Sequence, residues 1–304
     1  SYAGNAKRKM NILDGKATSL TLQEEIAAKV TKVIEAGGKR PHLAAVLIGM
    51  DPASRAYVGH KVKACAKAGF ESSTIERGKE ISQTALLEIV RELNNDKSVD
   101  GFIVQLPLPD HIDATEIIEA IDPRKDVDGF HPVNVGKMSL GLPTFLPATP
   151  AGIMTLLQRH GIVTEGMHAV IIGRSDIVGN PMSSLLSRNS EPGNCTVTQC
   201  HSRTVDLKSH TLKADILIAA IGKPHFITSD MVKEGAIVID VGINRIADST
   251  RKSGSRLTGD VDFDNVAQKC SWITPVPGGV GPMTIASLLE NTFQASQQNA
   301  DGFS

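Results

Sequence analysis

His168-Ala169-Val170-Ile171-Ile172-Gly173-Arg174-Ser175-Asp176-Ile177-Val178-Gly179-Asn180-Pro181 decides the fold. Ala169-Val170-Ile171-Ile172 is a short apolar run with β-branched residues, the pattern of a buried strand. The run breaks at Gly173, and the spacing predicts a helix through Met182 to Ser187. Strand, glycine turn and helix start together make the phosphate-binding corner of a dinucleotide fold, where amides and the helix dipole favour an anion. The pattern reads G-x-S-x-x-x-G-x-P, not the common G-x-G-x-x-G. Ser175 adds a hydroxyl beside helix amides expected to be free, and Gly179 permits close approach. An ordinary strand-to-helix turn would look the same, so the corner needs support from the rest of the chain.

Downstream, residues 196–199, 216–220 and 237–241 read as three further strands, and a helix starting near Pro282 closes the chain. Residues 189–194 (Asn-Ser-Glu-Pro-Gly-Asn) are a surface loop by composition. Upstream, residues 21–36 have helical apolar spacing and stop at Gly37-Gly38, and residues 43–49 are a fully apolar strand. Asp51-Pro52 supplies an N-cap and a first-turn proline for a helix reaching Gly69. Strands at 71–75 and 101–105 flank a helix at 83–93, and Asp113-x-x-Glu116 is a capping box. Residues 122–150 show no strong period and read as a segment between domains; Thr149-Pro150 then starts a helix to Arg159. This alternation predicts an α/β protein of two domains with parallel sheets.

At 304 residues each domain can bury its own core. Thirty-two Lys and Arg against 33 Asp and Glu give no basic surface for nucleic acid or membrane. No apolar run approaches the roughly 20 residues of a membrane helix. Cys65, Cys195, Cys200 and Cys270 have no C-x-x-C spacing, which predicts free thiols in a reducing compartment. That favours the cytoplasm. Residues 1–9 contain Lys7-Arg8-Lys9 without a secretory apolar core, and leave a mitochondrial presequence open as an alternative.

Ser54, Tyr57 and Lys61 stand at i, i+3 and i+7, so a helix would put them on one face. A phenol and an ammonium there can touch one ligand and tune each other's proton affinity, although a bare Y-x-x-x-K is more often a solvated face. The face begins just past the end of an apolar strand, where open α/β sheets bind ligands, and Gln105 ends another strand at the corresponding edge. Asp126-Val127-Asp128 carries two carboxylates, for a metal or for the N–H donors of a substrate; His131 reads as structural. After the second strand of the later domain comes Cys200-His201-Ser202-Arg203-Thr204, with no acid to hold a ribose 2′-hydroxyl. With Arg174 in the phosphate loop, this favours NADP over NAD. The 27-residue step from Gly173 to Cys200 exceeds the typical ~20, which the 189–194 loop can explain. Pro275-Val276-Pro277-Gly278-Gly279-Val280-Gly281-Pro282-Met283-Thr284 must turn tightly or bring backbone close to a ligand.

Together these residues resemble the bifunctional methylenetetrahydrofolate dehydrogenase/cyclohydrolase family. The resemblance runs from Ile12-Leu13-Asp14-Gly15-Lys16 to the last helix and rests on five motifs in order. They are Tyr57-Val58-x-x-Lys61-x-Lys63-Ala64-Cys65, Val104-Gln105-Leu106-Pro107-Leu108-Pro109, Lys125-Asp126-Val127-Asp128-Gly129-Phe130, the Gly173 to Pro181 corner and the Pro275 to Thr284 stretch. Two departures stand out: Ala148 where the family usually has Cys, and a longer 189–194 loop.

The resemblance implies a catalytic folate domain at 1–149, joined by a C-terminal helix at 285–304, and a Rossmann-type NADP-binding domain at 150–284. It implies tetrahydrofolate derivatives in the cleft, no metal, and a homodimer through the cofactor domains. Lys61 would be the catalytic group, Tyr57 and Gln105 would position it and the substrate, and Asp128 would bind the pterin. Pro277, Gly278 and Gly281 would border the substrate. Gly173, Arg174, Ser175, Gly179, His201 and Ser202 would hold the cofactor, with Ile243 near the nicotinamide. Two other readings share parts of this pattern. Another NADP dehydrogenase acting on a small acid would not need Tyr57, Gln105 and Asp128 together. A non-catalytic folate sensor would be expected to lack Lys61.

Overall fold

A computed structural model describes residues 10–301. In chain order its elements are Asn11–Ile12 (β1), Gly15–Glu35 (α1), His42–Ile48 (β2), Pro52–Ala68 (α2), Glu71–Arg77 (β3), Gln83–Asn95 (α3) and Gly101–Val104 (β4). Three helices follow: Ala114–Ala120 (α4), Pro132–Ser139 (α5) and Ala148–Arg159 (α6). Next come His168–Ile172 (β5), Gly179–Ser187 (α7), Thr196–Cys200 (β6), Leu207–Thr211 (α8), Ile216–Ala219 (β7) and Ile237–Asp240 (β8). Asn244–Ala247 (β9), Ser255–Thr258 (β10), Phe263–Val266 (α9), Trp272–Ile273 (β11) and Val280–Ala300 (α10) complete the chain. The chain folds into two compact units. The first holds Ser19–Ala148 with residues 284–301; the second holds residues 10–18 with Thr149–Met283.

In the first unit β2 lies between β3 and β4, parallel to both. Its side chains alternate between two cores. Leu43, Ala45 and Leu47 pack with Ile26, Val30, Val58, Cys65, Leu288 and Leu289, whereas Ala44, Val46 and Ile48 pack with Leu86, Val90, Leu93 and Ile117. A strand buried on both faces has no polar alternation, which is why it reads as an unbroken apolar run. The α2 helix starts as its sequence requires: Ser54 N–H donates to Asp51 Oδ2 at 2.9 Å, and Pro52 stands in the first turn. The α5 helix lies within residues 122–150, where the sequence shows no period. Eight residues are too few for one to show.

The second unit is a six-stranded parallel sheet in the order β1-β11-β8-β7-β5-β6. Counted from β5, the strands run 2-1-3-4-5. This is a doubly wound order whose switch point, the usual ligand crevice, lies between β5 and β7. β1 fills the open edge beside β11, with Asn11 N–H donating to Ser271 O and Leu13 N–H to Ile273 O. Residues 10–18 therefore group with the second unit, a correction to the expected 1–149 boundary. The expectations for residues 1–9 lie outside the described residues.

All four cysteines are buried and free, and burial pushes the Cys65 and Cys270 thiols up to about 12. The thiolate, the reactive form, is thus suppressed. Among the described residues no helix is long and apolar enough to cross a membrane.

Candidate active site

Two groups of chemistry-bearing residues form, one in each unit. In the first unit, α2 leaves the C-terminal end of β2 and carries Lys61 two turns in. Gln105 follows β4, its N–H donating to Val46 O on the neighbouring strand, which fixes the backbone beneath its side chain. Lys61 Nζ donates to Gln105 Oε1 at 2.9 Å, and Gln105 Nε2 donates to Leu106 O at 3.1 Å. Burial lowers the proton affinity of Lys61, and the Asp128 carboxylate partly offsets this. Asp128 is shifted the other way, up to about 6, by burial against the pull of Lys61 and with help from Asp126. The arrangement holds an amine and a carboxyl closer to mutual neutrality than either is in water.

Tyr57 sits one turn before Lys61 with half of its surface exposed. Ser54, the third residue of the expected face, is not available. It is buried, and its hydroxyl donates to Asp51 in the helix cap.

The two carboxylates of the Asp126-Val127-Asp128 run have different environments. Asp126 Oδ1 accepts from Phe130 N–H at 3.3 Å, and Oδ2 accepts from His131 N–H and Asn134 Nδ2 at 2.8 Å each. Both oxygens are occupied, so Asp126 builds the turn and leaves Asp128 to face Lys61. His131 is structural, as expected: its Nδ1 accepts from Val133 N–H at 3.0 Å and caps α5. Asn291 on α10 adds donors to Val127 O and Leu146 O, both at 2.9 Å. Asn134 and Asn291 are missed by sequence reasoning, because neither lies within a recognisable motif. Asp126→Ala should strand three donors and lower stability by about 1–3 kcal/mol or more, since each unpaired buried group carries a desolvation cost of that order. Urea denaturation would measure the loss, and an unchanged midpoint would show that the turn does not depend on Asp126.

In the second unit, strand register aligns three loops at one edge. Ile172 is paired with Cys200 and with Ala219, so the segments starting at Gly173, His201 and Ala220 leave the sheet side by side. A Cβ on Gly173 would lie 2.7 Å from Ala220 O, and one on Gly179 would lie 2.3 Å from Gly173 O. Only glycine at both positions lets these backbone segments pack so closely and form the corner. Its amides are not all free, contrary to the sequence expectation. Ser175 Oγ accepts from Val178 N–H at 3.1 Å and, at the limit, from Gly179 N–H at 3.5 Å; Ser175 O accepts from Asn180 N–H at 2.9 Å. Pro181 has no N–H at all. What the corner offers an anion is the Ser175 hydroxyl proton and the exposed Arg174, which has no hydrogen-bond or ion-pair partner among the described residues.

On the adjacent strand end, His201 is held in a turn. Its N–H donates to Thr204 Oγ1 at 2.8 Å, and its Nδ1 accepts from Arg203 N–H at 3.1 Å. The turn leaves Ser202 and Arg203 exposed. Gln199, missed in the sequence, ties the two segments: its Nε2 donates to Gly173 O at 3.0 Å and to Asn180 Oδ1 at 2.9 Å. Further along the edge, Ile243 is 53 % exposed, and a Cβ on Gly281 would lie 3.6 Å from its Cδ1. Gly278 has φ +100°, and its carbonyl accepts from Lys16 N–H at 3.1 Å, while Pro277 is exposed. The Pro-Gly stretch thus borders the Ile243 end of the edge.

The strand order, the switch-point glycines and the free cationic and hydroxyl groups put the second unit among nucleotide-binding domains of α/β dehydrogenases. Sequence comparison narrows this. Residues 13–128 match the profile "Tetrahydrofolate dehydrogenase/cyclohydrolase, catalytic domain", and residues 147–300 match the NAD(P)-binding domain of the same family. The "Bifunctional protein FolD" of Porphyromonas gingivalis is 60 % identical over 286 residues, covering 94 % of this chain and 97 % of its own. The crystal structure of the bifunctional FolD methylenetetrahydrofolate dehydrogenase/cyclohydrolase from Campylobacter jejuni is 49 % identical, with TM-score 0.90, over 95 % of this chain and 99 % of that one. The FolD of Trypanosoma brucei, complexed with NADP cofactor and inhibitor, is 36 % identical with TM-score 0.90, over 96 % and 99 %. The chain belongs to the tetrahydrofolate dehydrogenase/cyclohydrolase family, and it is an enzyme.

Proposed function

We propose that this enzyme oxidises 5,10-methylenetetrahydrofolate to the 5,10-methenyl cation with NADP, then hydrolyses that cation to 10-formyltetrahydrofolate, with Lys61 as the catalytic group. The observation that carries the reading is the Lys61–Gln105 hydrogen bond in a setting where burial favours the neutral amine. Hydride loss leaves positive charge delocalised between two substrate nitrogens, and a neutral amine tolerates it better than an ammonium would. Water addition and ring opening then require proton transfers, for which Lys61 is the base and acid, oriented by Gln105. Tyr57 lines the same face and positions the folate. Asp128 accepts from the N–H donors of the pterin. Pro277, Gly278 and Gly281 complete the set of residues assigned to the substrate.

The residues of the second unit suit NADP, which when bound accepts the hydride. Gly173 and Gly179 allow the tight backbone turn on which the phosphates sit, Arg174, Ser175 and Ser202 supply donors, His201 shapes the Ser202 turn, and Ile243 offers an apolar side chain to the nicotinamide. NADP is preferred over NAD because the segment after β6 has no carboxylate and the corner has a free guanidinium. We assign the enzyme to the cytoplasm as a homodimer through its second unit. Buried free thiols support the compartment, and β6, an edge strand with one neighbour, supports the pairing. A monomer mass by light scattering would rule the dimer out. The mitochondrial alternative rests on residues 1–9, outside the described residues.

The test is to assay the half-reactions separately on the purified protein: NADP reduction with the methylene substrate, and methenyl hydrolysis without nucleotide. Absence of either catalysed reaction would overturn the bifunctional reading. Asp128→Asn tests the pterin assignment. It should raise the folate KM strongly and leave NADPH affinity near normal; a collapse of NADPH binding would remove Asp128 from the pocket.

The same variant has a pH signature. Because the folded Asp128 carboxyl is shifted up to about 6 from its ordinary value near 4, the folded state holds the extra proton between those values. Its contribution to stability is therefore lost as pH rises from about 4 to 6. Asp128→Asn should flatten that part of the denaturation-midpoint profile; an identical slope in both proteins would contradict the shift.

A further inference from the structure

The second unit contains two buried carboxylates that the hydride and proton steps do not use, Asp240 and Asp260. Asp240 ends β8. Asp260 stands two residues beyond the hairpin of β9 and β10, whose first and last residues, Asn244 and Thr258, are paired. Asp240 clasps the base of this hairpin. Its Oδ1 accepts from Gly242 N–H and Asp260 N–H at 3.0 Å each, and its Oδ2 accepts from Val261 N–H at 3.1 Å. Asp260, returned to the sheet edge in this way, spans two loops. Its Oδ2 accepts from Ile221 N–H at 2.7 Å and Gly222 N–H at 3.0 Å, in the loop after β7. Its Oδ1 accepts from Asn244 Nδ2 at 2.9 Å, on the first residue of β9, where the loop after β8 ends. The fit allows no side chain at residue 242, since a Cβ there would lie 2.2 Å from Asp260 Oδ1.

We propose that Asp260 is a positioning residue for hydride transfer: through Asn244 it ties the loop after β7 to the loop after β8 and so fixes the Ile243 side chain that flanks the nicotinamide ring. The inference rests on the reading of this unit as an NADP-dependent dehydrogenase domain. Ile243 lies between Gly242, pressed on Asp260, and Asn244, bonded to it, so its backbone has little freedom. Its side chain is exposed at the C-terminal edge of the strands, where a doubly wound sheet receives its ligand. The Arg174, Ser175 and Ser202 groups lie at the ends of β5 and β6, whereas the Asn244 end of the tie follows β8, two places from β5 in the strand order. Phosphate binding and ring placement are therefore held by separate devices.

Asn244→Ala removes only the link to the second loop and leaves Ile221 and Gly222 bonded. It should slow hydride transfer at saturating NADP by roughly tenfold to a hundredfold, the scale of a misplacement near 1 Å. NADPH affinity, read by fluorescence titration, should change less than about threefold. Cyclohydrolase activity should stay at the wild-type rate, and amide exchange in the ligand-free protein should accelerate at residues 242–244 but not at 221–222. Asp260→Asn should keep most of the hydride rate, because its Oδ1 can still accept from Ile221 and Gly222 while its Nδ2 donates to a flipped Asn244 amide. A wild-type hydride rate in Asn244→Ala would overturn the proposal. So would a loss of NADPH affinity as large as the loss of rate, an equal fall in cyclohydrolase activity, or a defect in Asp260→Asn as severe as that of Asn244→Ala. If the wild type failed to reduce NADP at all, the dehydrogenase reading itself would fall, a result distinct from each of these.

Discussion

Lys61→Gln is expected to abolish cyclohydrolase activity, by about 10²–10⁴-fold, the usual contribution of a proton-transfer group, while leaving substantial dehydrogenase activity. The two steps differ in what they ask of the residue. Hydride departure moves no proton, so Lys61 need only hold the folate and avoid placing full positive charge beside the forming cation. Water addition and ring opening do move protons, and an amide is neither acid nor base. Glutamine keeps polarity and much of the length, and it can still hydrogen-bond to Gln105. Substrate geometry should therefore survive. Methylene substrate and NADP given to the variant should produce a build-up of methenyl absorbance. Each half-reaction is to be measured at saturating substrate. Equal survival of both would remove Lys61 from the proton path, and equal loss with folate still bound would extend its role to the hydride step.

Arg174→Ala should weaken NADP by roughly tenfold to over a hundredfold, from about 1.5–3 kcal/mol for a charge-assisted phosphate contact, and weaken NAD far less. Arg174 is exposed and unpaired among the described residues, so its removal should not lower the melting temperature. The loss can then be read as binding alone. Kd values for the two nucleotides, measured by titration on the same preparations, decide the matter. A parallel loss for both would mean that Arg174 meets the pyrophosphate common to them and that the 2′-phosphate is held elsewhere.

Much of this site can be read from the sequence, because local chemistry specifies it. The Asp51-Pro52 cap places Lys61 on α2, the apolar runs of β2, β5, β7 and β8 announce buried parallel strands, and the Gly173 to Pro181 corner marks the crevice. What escaped depends on contacts distant in sequence or on elements too short to show a period. β1 and β11 are two residues each and are held by their sheet neighbours, β11 by β8 and β1 by β11. Asn291 reaches Val127 across 164 positions, and Asp260 reaches Ile221 across 39. The corner amides looked free because nothing in the string G-R-S-D-I-V-G-N-P says that Ser175 will bond to three of them through its hydroxyl and carbonyl. Asp126 and Asp128 looked equivalent for a similar reason: only the fold of α5 assigns one to the turn and the other to Lys61.

The most direct measurement is a single reaction of the wild-type enzyme with 5,10-methylenetetrahydrofolate and NADP, followed together at the nicotinamide and methenyl absorbances. NADPH should rise while methenyl stays far below it, with 10-formyltetrahydrofolate forming faster than uncatalysed hydrolysis allows. Methenyl accumulating in step with NADPH would show that the second reaction is not catalysed and would contradict the role given to Lys61.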